Sequence, residues 1–110
     1  MRHKRKVLSR SDFSAVFSEG RRAVGRRVVV YFRPNELDFY RLGFAVSKKV
    51  RTAVKKNRVR RLLREVCRLN PELFRPGFDY VLLGREGAEE ASYWEIEADV
   101  REALRRGGPQ

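Results

Sequence analysis

The sequence contains few of the residues that most often carry enzyme chemistry. Its 110 residues include one histidine and one cysteine, and a structural zinc site needs more ligands of these types than that. His3 lies in a basic terminal arm, where a general base would be poorly positioned. Cys67 has no partner for an intrachain disulfide, which favours a reducing, cytoplasmic setting. No base is identifiable beside Cys67, so we interpret it as a packing residue.

Other signatures are absent as well. The glycines lack the spacing of a phosphate-binding Walker loop. The carboxylates of the basic part are scattered and form no metal-nuclease motif; they are Asp12, Glu19, Glu36, Asp38 and Glu65. No apolar run approaches the length of a membrane span, no lipidation signal is present, and MRHKRK precedes no apolar signal region. The sequence therefore predicts no catalytic residue or metal site in the protein alone, and no membrane partner.

What the sequence does contain is positive charge. Its 26 lysines and arginines against 14 acidic residues give a formal net charge of +12. Residues 1–68 hold 21 of the basic residues and 5 of the acidic ones, whereas the rest of the chain is net acidic. Such a surplus is typical of nucleic-acid binders, because neutralising phosphates releases counterions. We therefore expect the first two-thirds of the chain to bind a nucleic acid.

The charge concentrates on one predicted helix, which begins at about Thr52. Helical periodicity places an apolar stripe on one face, formed by Val59, Leu62, Leu63, Val66 and Leu69. The opposite face gathers Asn57, Arg60, Arg61, Arg64 and Arg68, with Arg58 and Glu65 at its margin. Like charges repel there, and Lys55, Lys56 and Arg58 crowd the first turn, where the helix dipole disfavours cations. An anionic partner explains this arrangement better than an ordinary basic surface does.

The residues before this helix predict a helix and two strands. Ser9 and Asp12 form a capping-box pattern that opens a helix through about Ser18, ended by Gly20. Phe13 and Phe17 on this helix are either core residues or the lining of a groove. Strands are predicted over 27–33 and 39–47, joined by the turn 34–38 into a hairpin. A short extra strand is placed near Ala23.

The remaining residues predict a strand and a helix. The basic helix ends at Asn70, because Pro71 disfavours helical geometry before it. The run FDYVLLG over 78–84 is apolar enough for a central strand. Ser92 and Glu95 form a second capping box, which opens a helix with an acidic outer face, and the chain is expected to fray from Gly107. The order α-β-β-(β)-α-β-α indicates one α+β domain, a helix-covered α/β sandwich.

The segment Gly43 to Glu65, GFAVSKKVRTAVKKNRVRRLLRE, strongly resembles the signature of the protein subunits of bacterial ribonuclease P. That signature contains Gly-x-x-Val-Ser-Lys-Lys and, after a few residues, Ala-Val-x-(Lys/Arg)-Asn-Arg-x-(Lys/Arg)-Arg-x-x-Arg-Glu. Phe13, Phe17 and Tyr31 also match family positions. Arg51 stands where glycine is common, and it adds charge without abolishing the turn. Beyond about Arg68 the resemblance is weak, so we carry no function into the C-terminal third.

The resemblance implies a fold and a role. Members of this family have a left-handed β-α-β crossover in the central sheet, a hand that also occurs in a domain of a ribosomal protein. They join a large catalytic RNA that removes the 5′ leader of precursor tRNA with Mg²⁺, which is bound mainly by RNA. The protein is then a non-catalytic subunit of an endoribonuclease. It needs the catalytic RNA and precursor tRNA as partners and no obligatory protein partner.

The resemblance also assigns residues to two surfaces. The positions that match the catalytic-RNA-binding helix and its approach are Arg51, Lys55, Lys56, Asn57, Arg58, Arg60, Arg61, Arg64 and Arg68. The positions that match the cleft for the single-stranded leader are Phe13, Phe17, Tyr31, Ser47, Lys48 and Lys49. This assignment favours the interpretation that Phe13 and Phe17 line a groove over the interpretation that they are core residues. Two other functions remain open from the residues alone, namely a general RNA-binding module such as a small ribosomal protein, and a self-sufficient protein nuclease.

Overall fold

The computed structural model describes residues 7–109, so the basic arm predicted for 1–6 lies outside the described residues, as does Gln110. The helices are α1 (Arg10–Glu19), α2 (Ala53–Leu69) and α3 (Tyr93–Gly107), and the strands are β1 (Arg21–Val24), β2 (Val28–Pro34), β3 (Arg41–Val46) and β4 (Phe78–Gly84). Two 3₁₀ turns cover Pro71–Leu73 and Ala88–Glu90. The predicted element order is confirmed, and the short strand near Ala23 is β1.

The strands form one mixed sheet in the order β1-β2-β4-β3. Strand β4 runs antiparallel to β2 and parallel to β3. The predicted hairpin of β2 with β3 is therefore wrong, because β4 lies between them. Five of the seven β4 residues are buried. A strand that is buried on both faces is typically a continuous apolar run, and such a strand lies in the interior of a sheet. The central position predicted for this strand is confirmed.

Parallel neighbours need a crossover connection, and α2 provides the one between β3 and β4. The left hand of this connection stays an implication of the family resemblance. Both ends of α2 are fixed locally: the Thr52 hydroxyl accepts from the Lys55 N–H at 3.1 Å, and the Asn70 amide donates to the Val66 carbonyl at 2.8 Å. The predicted bounds of the basic helix are thereby confirmed.

The capping residues of the other two helices also act as predicted. The Ser9 hydroxyl accepts from the Asp12 N–H at 3.2 Å at the start of α1. At the start of α3, the Ser92 hydroxyl accepts from the Glu95 N–H at 3.1 Å while the Glu95 carboxylate accepts from the Ser92 N–H at 2.9 Å. This reciprocal pair is a capping box. These local bonds explain why sequence reasoning located the helix starts well.

Helices α2 and α3 cover one face of the sheet and bury the main core. Its members include Val30, Phe32, Tyr80 and Leu82 from the strands and Val59, Leu63, Val66, Ile96 and Val100 from the helices. Helix α2 approaches the sheet closely at Gly84, where an added Cβ would lie 2.3 Å from Cγ1 of Val59. Helix α1 packs on the other face, where Tyr31 and Gly43 lie. The sheet therefore separates α1 from α2 and α3.

One buried ion pair fixes the end of the sheet near α1. Asp79 is 2% exposed, and its carboxylate accepts from Nε and Nη2 of Arg41, both at 2.8 Å. The Asn35 amide donates to the same carboxylate at 2.8 Å. Arg41 also pairs with Asp12 of α1 at 3.2 Å. This network joins β3, β4, the turn after β2 and the first helix.

The fraying predicted from Gly107 stays a prediction, and the structure describes the chain as far as Pro109. Gly107 closes α3, and the Gly108 N–H donates to the Leu104 carbonyl at 2.9 Å. Gly108 itself is buried. Within residues 7–109, no helix has both the length and the apolar character needed to cross a membrane.

Candidate nucleic-acid interface

The first candidate surface is the outer face of α2, which we call the basic stripe: Asn57, Arg60, Arg61, Arg64 and Arg68. A shallow depression of about 490 Å³ lies on this face. It is lined by Asn57, Arg60, Arg61 and Arg64 of the stripe and by Glu65. The stripe faces away from the sheet because Val59, Leu63 and Val66 occupy the buried side of the same helix. The predicted separation of an apolar face from a basic face is confirmed, except that Leu69 of the predicted apolar face is 50% exposed at the end of the helix.

The four charges of the stripe differ in their contacts with the rest of the described chain. Within residues 7–109, Arg60 and Arg61 make neither an ion pair nor a hydrogen bond through their side chains, and the Arg64 guanidinium lies 5.6 Å above the Phe44 ring. Arg68 differs, since it donates to both Glu65 oxygens, at 3.3 and 2.6 Å. This exposed pair raises the pKa of Arg68 and lowers the pKa of Glu65. Unpaired guanidinium groups are well suited to bidentate phosphate contacts.

Arg58 lies on the flank of α2 and is engaged elsewhere. Its Nε donates to the Glu89 carbonyl at 2.9 Å, and its Nη2 donates to the Ala91 carbonyl at 3.0 Å. These bonds hold the 3₁₀ turn before α3 against α2. The structure thus gives Arg58 a structural task that helical periodicity did not reveal. The other predicted cations, Arg51 and Lys55, are exposed at the start of α2, and Lys56 is half-buried.

The second candidate surface is a cleft on the opposite face of the sheet. It has a volume of about 540 Å³ and is lined by Arg22, Val24, Arg26, Val29, Tyr31, Ser47, Lys49, Leu83, Arg85 and Glu86. Apolar side chains and the tyrosine form its surface together with four cations. Rings and aliphatic groups can hold bases irrespective of their sequence, and cations can follow the phosphates of an unpaired strand. The cleft therefore has the chemistry of a single-strand site.

The structure brings some predicted cleft residues together and separates others. Tyr31, Ser47 and Lys49 line the cleft, whereas Lys48 is exposed outside it. The Phe17 and Tyr31 rings pack at a tilt of 57° with centroids 4.6 Å apart, and the Phe13 ring lies 5.3 Å from that of Phe17. The two phenylalanines form a half-buried wall behind Tyr31 and do not line the cavity.

The small residues Gly43, Ala45 and Ser47 alternate along the chain at β3, and the sheet face that they share is only partly open. A Cβ on Gly43 would lie 2.8 Å from the Phe13 ring, because α1 packs directly onto this glycine. The absence of a side chain at Gly43 therefore leaves space for the Phe13 ring of α1, and not for a ligand. At the other end of the strand, Ser47 still borders the cleft. The free space begins where α1 no longer covers the sheet.

Sequence reasoning missed several cleft residues. Arg22 and Arg26 lie in the basic stretch 21–27, where Arg22 is paired with Tyr31 across β1 and β2 and Arg26 lies in the connection between the two strands. Arg85 follows β4, and its guanidinium donates to the Gly25 carbonyl at 2.9 Å. The basic stretch was a visible signal for the first two residues. Nothing in the local sequence indicated Arg85, because strand pairing alone places it there.

Cys67 is a packing residue, as predicted. It is 3% exposed within the core, and burial raises the pKa of its thiol to about 12. We expect iodoacetamide to modify Cys67 at pH 8 only when the protein unfolds, because the thiolate is the reactive form. Mass spectrometry of native and urea-unfolded protein would measure this difference. Rapid modification of the native protein would contradict the assignment.

Comparison with known proteins agrees with this architecture. The family model Ribonuclease P matches residues 1–108. A ribonuclease P protein component from Pelotomaculum thermopropionicum is 42% identical over 95 residues, which cover 86% of this chain and 85% of the relative. The solved structure of the RNase P protein from Thermotoga maritima superimposes with a TM-score of 0.81 at 32% identity, covering 94% of this chain and 97% of that one. The Staphylococcus aureus RNase P protein also gives a TM-score of 0.81, at 28% identity, covering 94% and 95%. The chain belongs to the ribonuclease P protein family.

Proposed function

We propose that this protein is the RNA-binding subunit of a ribonuclease P ribonucleoprotein and helps to remove the 5′ leader of precursor tRNA. In this proposal the basic stripe binds the catalytic RNA, and the cleft binds the single-stranded leader. The observation that carries it is the position of two cationic surfaces on opposite faces of one sheet. A protein so built can contact two RNA segments at once.

The two surfaces differ in a way that suits different RNA structures. The basic stripe consists of guanidinium groups on a convex helix, which can contact the backbone phosphates of a folded RNA. The cleft has apolar walls and a half-buried tyrosine beside its cations, so it favours bases that are not paired. Loose sequence preference suits a leader that differs from one precursor to the next.

The bond cleavage is assigned to the RNA partner, with Mg²⁺ held mainly by RNA and substrate. In residues 7–109, no three His, Cys, Asp or Glu side chains are grouped so that they could hold a metal ion. In the proposal, the side chains of this protein take no part in the metal-dependent step. Its task in the proposal is to bind and orient two RNAs and to reduce repulsion between their phosphates.

Reconstitution tests the proposal. Precursor tRNA is incubated at low Mg²⁺ with the protein alone, with a bacterial ribonuclease P RNA alone, and with both. We expect cleavage at the mature 5′ end to be strongly stimulated only by the pair. Cleavage by the protein alone would favour the self-sufficient nuclease. Intact RNA binding without stimulation would favour a general RNA-binding module.

Substitution of Tyr31 tests the cleft. We expect Tyr31→Ala to weaken binding of leader-bearing precursor to the holoenzyme by roughly 1–3 kcal/mol, because a base loses its stacking surface. Tyr31→Phe retains the ring and should bind nearly as wild type. Affinities for precursor and leaderless tRNA, measured in parallel, separate the effect from a general loss. An equal loss for both substrates would count against the cleft assignment.

A further inference from the structure

The proposed stripe and cleft leave one prominent surface feature unexplained. Trp94, the sole tryptophan, lies in the first turn of α3 and is 73% exposed. The other exposed large apolar side chains in residues 7–109 are aliphatic, and the remaining aromatic residues there are buried or half-buried. Tryptophan is the residue that most often dominates interfaces, because its large rigid surface is covered at little entropic cost.

The indole is held in a defined place. The Tyr93 and Trp94 rings meet edge to face, with centroids 4.9 Å apart and planes at 89°. The Tyr93 hydroxyl accepts from the Asn70 amide at 3.0 Å, and Asn70 is the residue that caps the end of α2. Trp94 is therefore fixed through its neighbour to the basic helix. A surface held in this way loses little freedom on binding.

The first turn of α3 lies along the flank of the basic helix. Arg58 binds the carbonyls of Glu89 and Ala91 just before α3, and Arg58 is three residues from Arg61 of the stripe. At the other end of α2, the Asn70 amide binds the hydroxyl of Tyr93, the neighbour of Trp94. Trp94 thus lies on the helix that packs beside α2, one residue after Tyr93, which is bonded to the end of α2. It lies on the sheet face that carries α2, opposite the cleft.

The two acidic residues of α3 next to Trp94 are each paired with an arginine. The Glu95 carboxylate is held by the Ser92 N–H and lies 3.7 Å from Arg27. Glu97 pairs with Arg101 at 2.7 Å. Internal cations therefore offset both carboxylates nearest to Trp94 along the helix. RNA that contacts α2 and α3 together meets no uncompensated charge from these two residues.

We propose that Trp94 stacks on an unpaired base of the catalytic RNA that binds the basic stripe. This inference rests on the proposed function and names one further contact in it. The partner is the catalytic RNA because α3 packs beside the helix that carries the stripe, on the sheet face opposite the cleft. An unpaired base is the component of RNA that offers a planar face of matching size.

The single tryptophan supplies its own probe. Wild-type protein is titrated with catalytic RNA while the indole emission and its quenching by acrylamide are followed. We expect the emission to fall at the stoichiometry of the complex and acrylamide access to decrease. A leader oligonucleotide alone, which should occupy the cleft, is expected to leave the emission unchanged.

Two substitutions complete the test. We expect Trp94→Leu to weaken catalytic-RNA binding by roughly five- to 150-fold, the range for one stacked base. Trp94→Phe should keep most of the affinity, and the preference for leader-bearing over leaderless tRNA should be unchanged in both variants. Thermal unfolding of each variant verifies that it is folded.

The outcomes distinguish this inference from the proposed function. Unchanged emission in a complex that forms and cleaves would overturn the role of Trp94 and leave the proposed function intact. Failure of the complex to form would overturn both. An emission change that depends on protein concentration without RNA would assign the indole to contact between copies of this chain, and it would equally overturn the inference.

Discussion

Replacing Arg61 and Arg64 with alanine is expected to weaken binding of the catalytic RNA by roughly fiftyfold at about 0.1 M salt. The estimate takes one phosphate contact for each arginine, and each contact contributes about 0.7–0.9 to the slope of log K against log salt concentration. The slope should therefore decrease in magnitude by roughly 1.4–1.8. Titrations of wild type and variant at several salt concentrations measure both quantities.

The matched control removes the same charge from another helix. Arg105 and Arg106 lie in the last turn of α3, where Arg105 pairs with Glu102 at 2.6 Å. Replacing both with alanine changes the net charge equally but leaves the basic stripe intact. We expect a much smaller change of slope. If the control variant lost as much slope as the stripe variant, binding would reflect overall charge, and the stripe would not be a specific contact.

Replacing Arg41 with leucine is expected to lower the free energy of unfolding by about 3–5 kcal/mol. The change leaves the Asp79 carboxylate, 3% exposed, without its bidentate cation, and an uncompensated buried charge carries this cost. The Asn35 amide remains as a partner, but it is neutral. Urea unfolding measures the loss, which should appear as a lower midpoint.

Arg33 provides the control for Arg41. It lies on β2 directly opposite Asp79, but its guanidinium pairs with Glu19 near the surface at 3.2 Å. Exposed pairs contribute up to about 1 kcal/mol, so Arg33→Leu should have a small effect. Removing both charges, with Arg41→Leu and Asp79→Leu together, should recover part of the lost stability. If Arg41→Leu and Arg33→Leu lowered the free energy of unfolding equally, the buried pair would have no special role in stability.

The local features of this protein followed from its sequence. The start of α2 at Thr52, its end before Pro71 and the division of its faces depend on contacts within four residues. Hydrophobic periodicity and capping residues report such contacts directly. The signature over 43–65 then identified the family, because that stretch combines a strand end, a turn and most of the basic stripe.

Sequence alone thus determined where the helices and strands lie, which helix carries the charge, and that one buried cysteine packs in the core. The tertiary structure decided the rest. Strand β4 lies between β2 and β3, and this strand order places Arg22 of β1 and Arg85 after β4 in the same cleft. In the folded protein Arg58 also donates hydrogen bonds to the carbonyls of Glu89 and Ala91. The Phe13 ring occupies the space beside Gly43. These contacts join residues far apart in the chain, so no local pattern encodes them, and only the packing of helices on the sheet determines which cations remain free to bind RNA.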